Sequence, residues 1–172
     1  LQGHPCLNRA LILLRTLREI KNLGGLDTVG KAIGADIPER ILAELTEVLG
    51  AEKAKALVSA IDPYDCFSDW WTELADKDTK KEVHARFDTF MSTLQFIPAE
   101  TAICVGHSLF FRELCKRYIG KTLSAAKPDF AKELRKKKLC NAGCLAVRVD
   151  FSSGHAEIVD AELLFGSRLL DH

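Results

Sequence analysis

The sequence lacks three features that would place it in a special class of protein. Its apolar runs, such as Ala10 to Leu14, fall far short of the roughly 20 residues that a membrane-spanning helix needs. Neither sign of charge dominates, because 24 basic residues balance 24 acidic ones, so the global field that captures nucleic acid is missing. The six cysteines form no Cys-x-x-Cys pair and sit mostly in apolar runs, which is typical of buried thiols in a reducing compartment. We therefore expect a cytoplasmic protein with no membrane or nucleic-acid partner and no metal or cofactor.

The spacing of apolar residues predicts a single domain in which helices precede and then alternate with strands. Helices are expected at Leu7 to Ile20, Asp36 to Gly50, Ala51 to Ile61, Asp78 to Phe96, Ser108 to Ile119 and Pro128 to Lys136. Glycine-rich residues 22 to 34 and aromatic residues 63 to 71 are expected to form loops. Thr101 to Val105 has the β-branched, apolar character of a fully buried parallel strand. Leu145 to Phe151 and Ala156 to Leu164 alternate as the two strands of a hairpin do.

The most informative chemical feature is a histidine at the end of the predicted parallel strand. His107 follows Ala102 to Gly106 and stands where the next helix begins. Open α/β sheets bind ligands at this edge, and a helix N-terminus there favours an anion such as phosphate. A histidine that is simply packed in the core is the alternative interpretation of the same spacing.

The segment from Ala102 to Gly120, AICVGHSLFFRELCKRYIG, resembles the second-histidine motif of the histidine phosphatase superfamily, which includes the phosphoglycerate mutases. Upstream, the residues around Arg9 are similar to that family's phosphate-binding segment, and those around Glu19 are similar to the segment with its acid. The resemblance implies an α/β fold of mainly parallel sheet flanked by helices in three layers. It implies phosphomonoester hydrolysis or phosphoryl transfer through a phosphohistidine, on a phosphorylated small molecule or phosphoprotein.

In that chemistry each matched residue has a defined role. Arg9 would offer a planar fork to two phosphate oxygens, and His107 would donate a charge-assisted hydrogen bond to the same group. Glu19 would protonate the leaving oxygen. The sequence departs from the family in having no Arg-His-Gly segment, which carries the nucleophile, and in the spacing of only ten positions from Arg9 to Glu19. We expect either that a first strand and a linker belong to a longer polypeptide or that the chain is a catalytically inactive phosphate-binding or interaction module.

Three other groups of residues have weaker functional interpretations. Gly106 to Phe110 approximates the nucleophile elbow of an α/β-hydrolase esterase, with Ser108 as nucleophile and a triad completed from Asp150, Asp160, His155 or His172. Cys104, His107 and Cys115 do not have the spacing of a zinc site, and we expect buried thiols instead. The basic residues Lys136 to Lys138 are expected on a solvated helix end, where they could also attract an anionic substrate.

Overall fold

The computed structural model describes residues 11–20, 37–62, 66 and 77–171, and it combines α-helices with small sheets. The chain divides into two compact units. The first comprises Leu1–Glu82 with Ile97–Thr101, and the second comprises Val83–Phe96 with Ala102–His172. No helix of the described residues combines the length and the apolar character needed to cross a bilayer.

The first unit holds a short parallel strand pair and two helices that pack together. Strand β1 (Leu11–Ile12) pairs with β2 (Ile61–Asp62), and the helices are α1 (Ile37–Leu49) and α2 (Ala51–Ser59). The two helices confirm the sequence prediction, and the residue between them, Gly50, has a φ of 80° that suits glycine.

The helix predicted from Leu7 to Ile20 is wrong for the described residues 11–20. The Leu11 amide donates to the Ala60 carbonyl at 3.2 Å and the Leu13 amide to the Asp62 carbonyl at 2.8 Å, so these residues form a sheet ladder. A single 3-10 turn, Arg15–Leu17, follows. Leu11, part of the apolar stripe, is 50% exposed, and pairing with a distant strand overrode the helical period of these residues.

Helix α3 (Lys80–Phe96) confirms the prediction made from its apolar stripe, and it buries Val83, Phe87, Phe90 and Met91. A capping box precedes it: the Glu82 amide donates to the Thr79 hydroxyl at 3.3 Å, and the Thr79 amide donates to the Glu82 carboxylate at 2.7 Å. Those reciprocal bonds satisfy two amides that the first helical turn leaves unpaired.

The second unit continues with three helices and two antiparallel strand pairs. The helices are α4 (Ser108–Tyr118), α5 (Lys121–Ala126) and α6 (Pro128–Leu134). Strand β3 (Lys138–Leu139) pairs with β6 (Leu169–Leu170), and β4 (Cys144–Asp150) forms the predicted hairpin with β5 (Glu157–Leu164). Helix α5 and the two-residue strands β3 and β6 are absent from the sequence prediction.

The predicted buried strand from Thr101 to Val105 is wrong: these residues pair with no strand among those the structure describes. Ile103 is 93% exposed and Val105 is 82% exposed. A buried parallel strand needs neighbours on both sides, and its own residues cannot supply them. The described sheets are therefore small and partly antiparallel, and the mainly parallel, three-layer architecture is not confirmed.

Candidate functional site

His107 occupies the N-cap position of α4, the residue just before the helix begins. Its backbone is extended, with φ −101° and ψ 144°, and its carbonyl accepts the Phe111 amide at 3.1 Å. The amides of Ser108, Leu109 and Phe110 come before this first intrahelical bond and have no acceptor within the helix. Such amides point along the helix axis, out of its N-terminal end. The His107 side chain is exposed and does not cap this turn. An exposed imidazole therefore stands beside the positive end of an eleven-residue helix.

A buried aromatic cluster fixes this first turn of α4 against α3. Phe110 is 0% exposed, and its ring meets those of Phe87, Phe90 and Phe111 edge to face, with centroids 5.0, 5.9 and 5.5 Å away. Such edge-to-face pairs stabilise beyond the area they bury, by about 0.5–1.5 kcal/mol each. His107, three residues earlier, is thus attached to a rigidly packed turn, as a binding residue needs to be.

The charge around the turn favours an anion. The guanidinium carbon of Arg86, on α3, lies 5.5 Å from the centroid of the Phe110 ring, so a cation packs against the first turn of α4. One turn further along, Arg112 donates to the Glu113 carboxylate at 2.8 Å, and this pair adds little net charge. The first amides of α4 and the imidazole could bind a phosphate group together, and the charge of Arg86 adds to the positive potential at this turn.

The other two predicted site residues have different outcomes. Glu19 lies in the first unit, where its carboxylate accepts the Ile20 amide at 2.7 Å, and His107 lies in the second. Arg9 lies outside the described residues. Beside Glu19, Arg18 makes two hydrogen bonds to Asp78, at 3.1 and 2.8 Å, in a pair whose side chains are 12% and 4% exposed. That pair holds the segment of the candidate acid in place.

The esterase interpretation finds no support in the contacts of its acids. Asp150 accepts the amide and hydroxyl of Ser152, at 2.8 and 3.0 Å, and these bonds lower its pKa. Asp160 is ion-paired with a lysine at 2.8 Å. His155 is exposed on the turn between β4 and β5, and His172 lies outside the described residues. Asp150 therefore serves its own turn, and Asp160 serves an ion pair with Lys127.

Of the two cysteines predicted to be buried thiols, Cys115 is buried and Cys104 is only partly buried. Burial raises the pKa of Cys115 to about 12 and also raises that of Cys104, so both disfavour the thiolate that a metal would require. In the parts of the chain that the structure describes, no group of three or more His, Cys, Asp and Glu residues could hold a metal ion.

The basic residues after α6 are only partly available to a ligand. Lys137 is paired with Glu133 at 2.8 Å and lies 3.6 Å from Asp171, while Arg135 donates to the Ile119 carbonyl and the Ser124 hydroxyl. These contacts assign both residues to local packing and ion pairing.

A polar cluster between α3 and α4 is a feature that the sequence did not suggest. Arg117 donates to both carboxylate oxygens of Asp88, at 2.8 and 3.0 Å, and its other terminal nitrogen lies 3.0 Å from Nδ1 of His84. The Tyr118 hydroxyl donates to the same carboxylate. Burial opposes ionisation of Asp88, but the bonds from Tyr118 and Arg117 prevail and lower its pKa. His84 is half-buried against Phe87.

Comparison of the chain with protein-family models, with curated proteins and with solved structures finds no match in any of the three.

Proposed function

We propose that the start of α4 binds the phosphoryl group of a phosphorylated small molecule or phosphoprotein, with His107 as a donor to its oxygens. One observation carries the proposal: an exposed imidazole stands at the N-cap of a helix whose first turn is anchored by a buried phenylalanine. The guanidinium of Arg86, which packs on that phenylalanine, adds positive charge near this turn. A phosphate dianion needs several convergent cationic or N-H donors, and this turn offers two kinds, the backbone amides of the helix start and the imidazole.

The reaction class that suits this site is phosphomonoester hydrolysis or phosphoryl transfer of the histidine phosphatase kind. A phosphohistidine mechanism needs a second, nucleophilic imidazole in line with the leaving oxygen. His107 in this role stabilises the equatorial oxygens, and the resemblance implies Glu19 as the acid for the leaving group. The alternative is a catalytically inactive module that binds the same phosphate on the same scaffold, and it predicts binding without turnover.

The three-layer, mainly parallel sheet is part of the same proposal. What supports it is the parallel pairing of β1 with β2 in the first unit. A cytoplasmic location is likewise proposed, because the described cysteines are free thiols, including the buried Cys66 and Cys115.

Two alanine variants of adjacent residues test the proposal. We expect His107→Ala to weaken binding of inorganic phosphate or vanadate by roughly 1 to 3 kcal/mol, the scale of a lost hydrogen bond to a charged group, and Ser108→Ala to change it little. Isothermal titration of the two variants and the parent protein would measure this. The reverse ranking, together with cleavage of a carboxylic ester that depends on Ser108, would replace the phosphate site with a nucleophile elbow.

A further inference from the structure

The tight turn after β5 contains a residue that its backbone does not favour. Phe165 and Gly166 both have positive φ, 54° and 71°, and the Ser167 amide donates to the Leu164 carbonyl at 3.0 Å across them. Turns with two positive φ values favour Asn, Asp and Gly, whose backbones tolerate that region. A bulky aromatic residue there is strained by its own Cβ.

Burial does not explain the aromatic residue either, because Phe165 is 91% exposed. A phenylalanine normally offsets a strained backbone by placing its ring in the core, whereas this ring stands in water. Two unfavourable features thus coincide in one residue. Strain that neither local structure nor packing accounts for is concentrated at binding sites in proteins.

Phe165 lines an open cleft of about 530 Å³. The cleft lies between the Phe165 turn and a second turn at Asn141 and Ala142, where Ala142 also has a positive φ, 55°. Hydrogen bonds join the two turns: the Cys140 amide donates to the Arg168 carbonyl at 3.0 Å, and the Cys144 amide to the Ser167 hydroxyl at 2.7 Å. The two turns that line the cleft are therefore held in place before any ligand binds.

Charge identifies the kind of ligand. Arg168 lines the cleft with an exposed side chain, and within the described part of the chain no carboxylate forms an ion pair with it. The nearby acid Asp171 lies towards Lys137, at 3.6 Å. We propose that this cleft binds a small planar aromatic acid, with its ring stacked on Phe165 and its acidic group paired with Arg168. This second site does not depend on the function proposed for His107.

Binding of 2-naphthoate, followed by NMR of the backbone amides around Gly166, tests the proposal in the full chain. We expect saturable binding that weakens at least about 10-fold in Phe165→Asn, which loses the stacked ring, and in Arg168→Gln, which loses the charged contact. The matched controls are Phe96→Ala and Arg148→Gln, which change another exposed ring and another exposed guanidinium and should leave binding unchanged. The neutral 2-naphthamide should bind much more weakly than the acid.

A stability measurement on the same variant separates a binding residue from a structural one. Because asparagine tolerates positive φ, we expect Phe165→Asn to raise the melting temperature by about 2 to 6 °C while it removes binding. A lower melting temperature would show that the ring is structural and would overturn the proposal. Unchanged naphthoate affinity in either variant, equal loss in the controls, or equal affinity for the amide would overturn it as well.

Discussion

Replacing Phe110 by alanine tests whether the turn that bears His107 is anchored as described. The ring is 0% exposed and makes three edge-to-face contacts, two of them to α3. Removal of a buried phenylalanine costs the transfer free energy of the ring together with the cavity it leaves. We expect the free energy of unfolding to fall by about 3 to 5 kcal/mol, measured by urea denaturation with circular dichroism.

Ile103→Ala is the matched control, since Ile103 is a large apolar residue that precedes the same turn but is exposed to solvent. Full burial of an isoleucine contributes about 1.5 to 3 kcal/mol, and a residue that is 93% exposed realises under a tenth of this, about 0.1 to 0.2 kcal/mol. A loss above about 2 kcal/mol for Ile103→Ala would mean that the segment is a buried strand after all. A loss below about 1 kcal/mol for Phe110→Ala would refute the anchoring of α4.

Two further predictions concern ion pairs, one in each unit. Asp78→Asn leaves the mostly buried Arg18 guanidinium without its carboxylate, and we expect a loss of about 3 to 5 kcal/mol in urea denaturation; a loss under about 1 kcal/mol would show that the pair is not structural. The pKa of Asp88 is lowered in the folded state, so its contribution to stability is present above the unfolded pKa of about 3.9 and is lost as pH falls through the folded value. Asp88→Asn should therefore flatten the fall in stability between about pH 5 and pH 2, and an unchanged profile would show that Arg117 and Tyr118 do not favour its charged form.

The features that the sequence predicted correctly are those with local causes. Helix α3 follows from its own apolar stripe together with the Thr79 and Glu82 capping box, and the hairpin of β4 and β5 follows from alternation around Gly154, whose φ is 78°. In each case the residues that decide the structure are neighbours in the chain.

The errors arise where distant residues decide. Ile103 and Val105 have the side chains of a buried strand, but burial depends on neighbouring strands that a local pattern does not contain. Residues 11 to 13 follow a helical period and yet form a ladder with residues 60 to 62, about fifty positions away.

The candidate sites divide in the same way. His107 could be found from the sequence, because the apolar run ends at Gly106 and the apolar stripe of the next helix begins just after His107. The Asp88 and Arg117 pair joins residues 29 positions apart on two helices, and no single segment indicates it. The cleft at Phe165 was hidden for another reason: Phe-Gly is a poor turn sequence, so only the observed positive φ reveals it.

The most direct test of the phosphate site is a titration of the ¹⁵N-labelled protein with inorganic phosphate, followed by NMR. The account predicts saturable shifts that are largest at the Ser108, Leu109 and Phe110 amides and at the His107 ring, because these groups would face the anion. Sodium chloride at equal ionic strength should not reproduce them. Saturable shifts confined to other residues would contradict the placement of a phosphate site at the start of α4. The absence of any shift over the whole phosphate titration would contradict it as well.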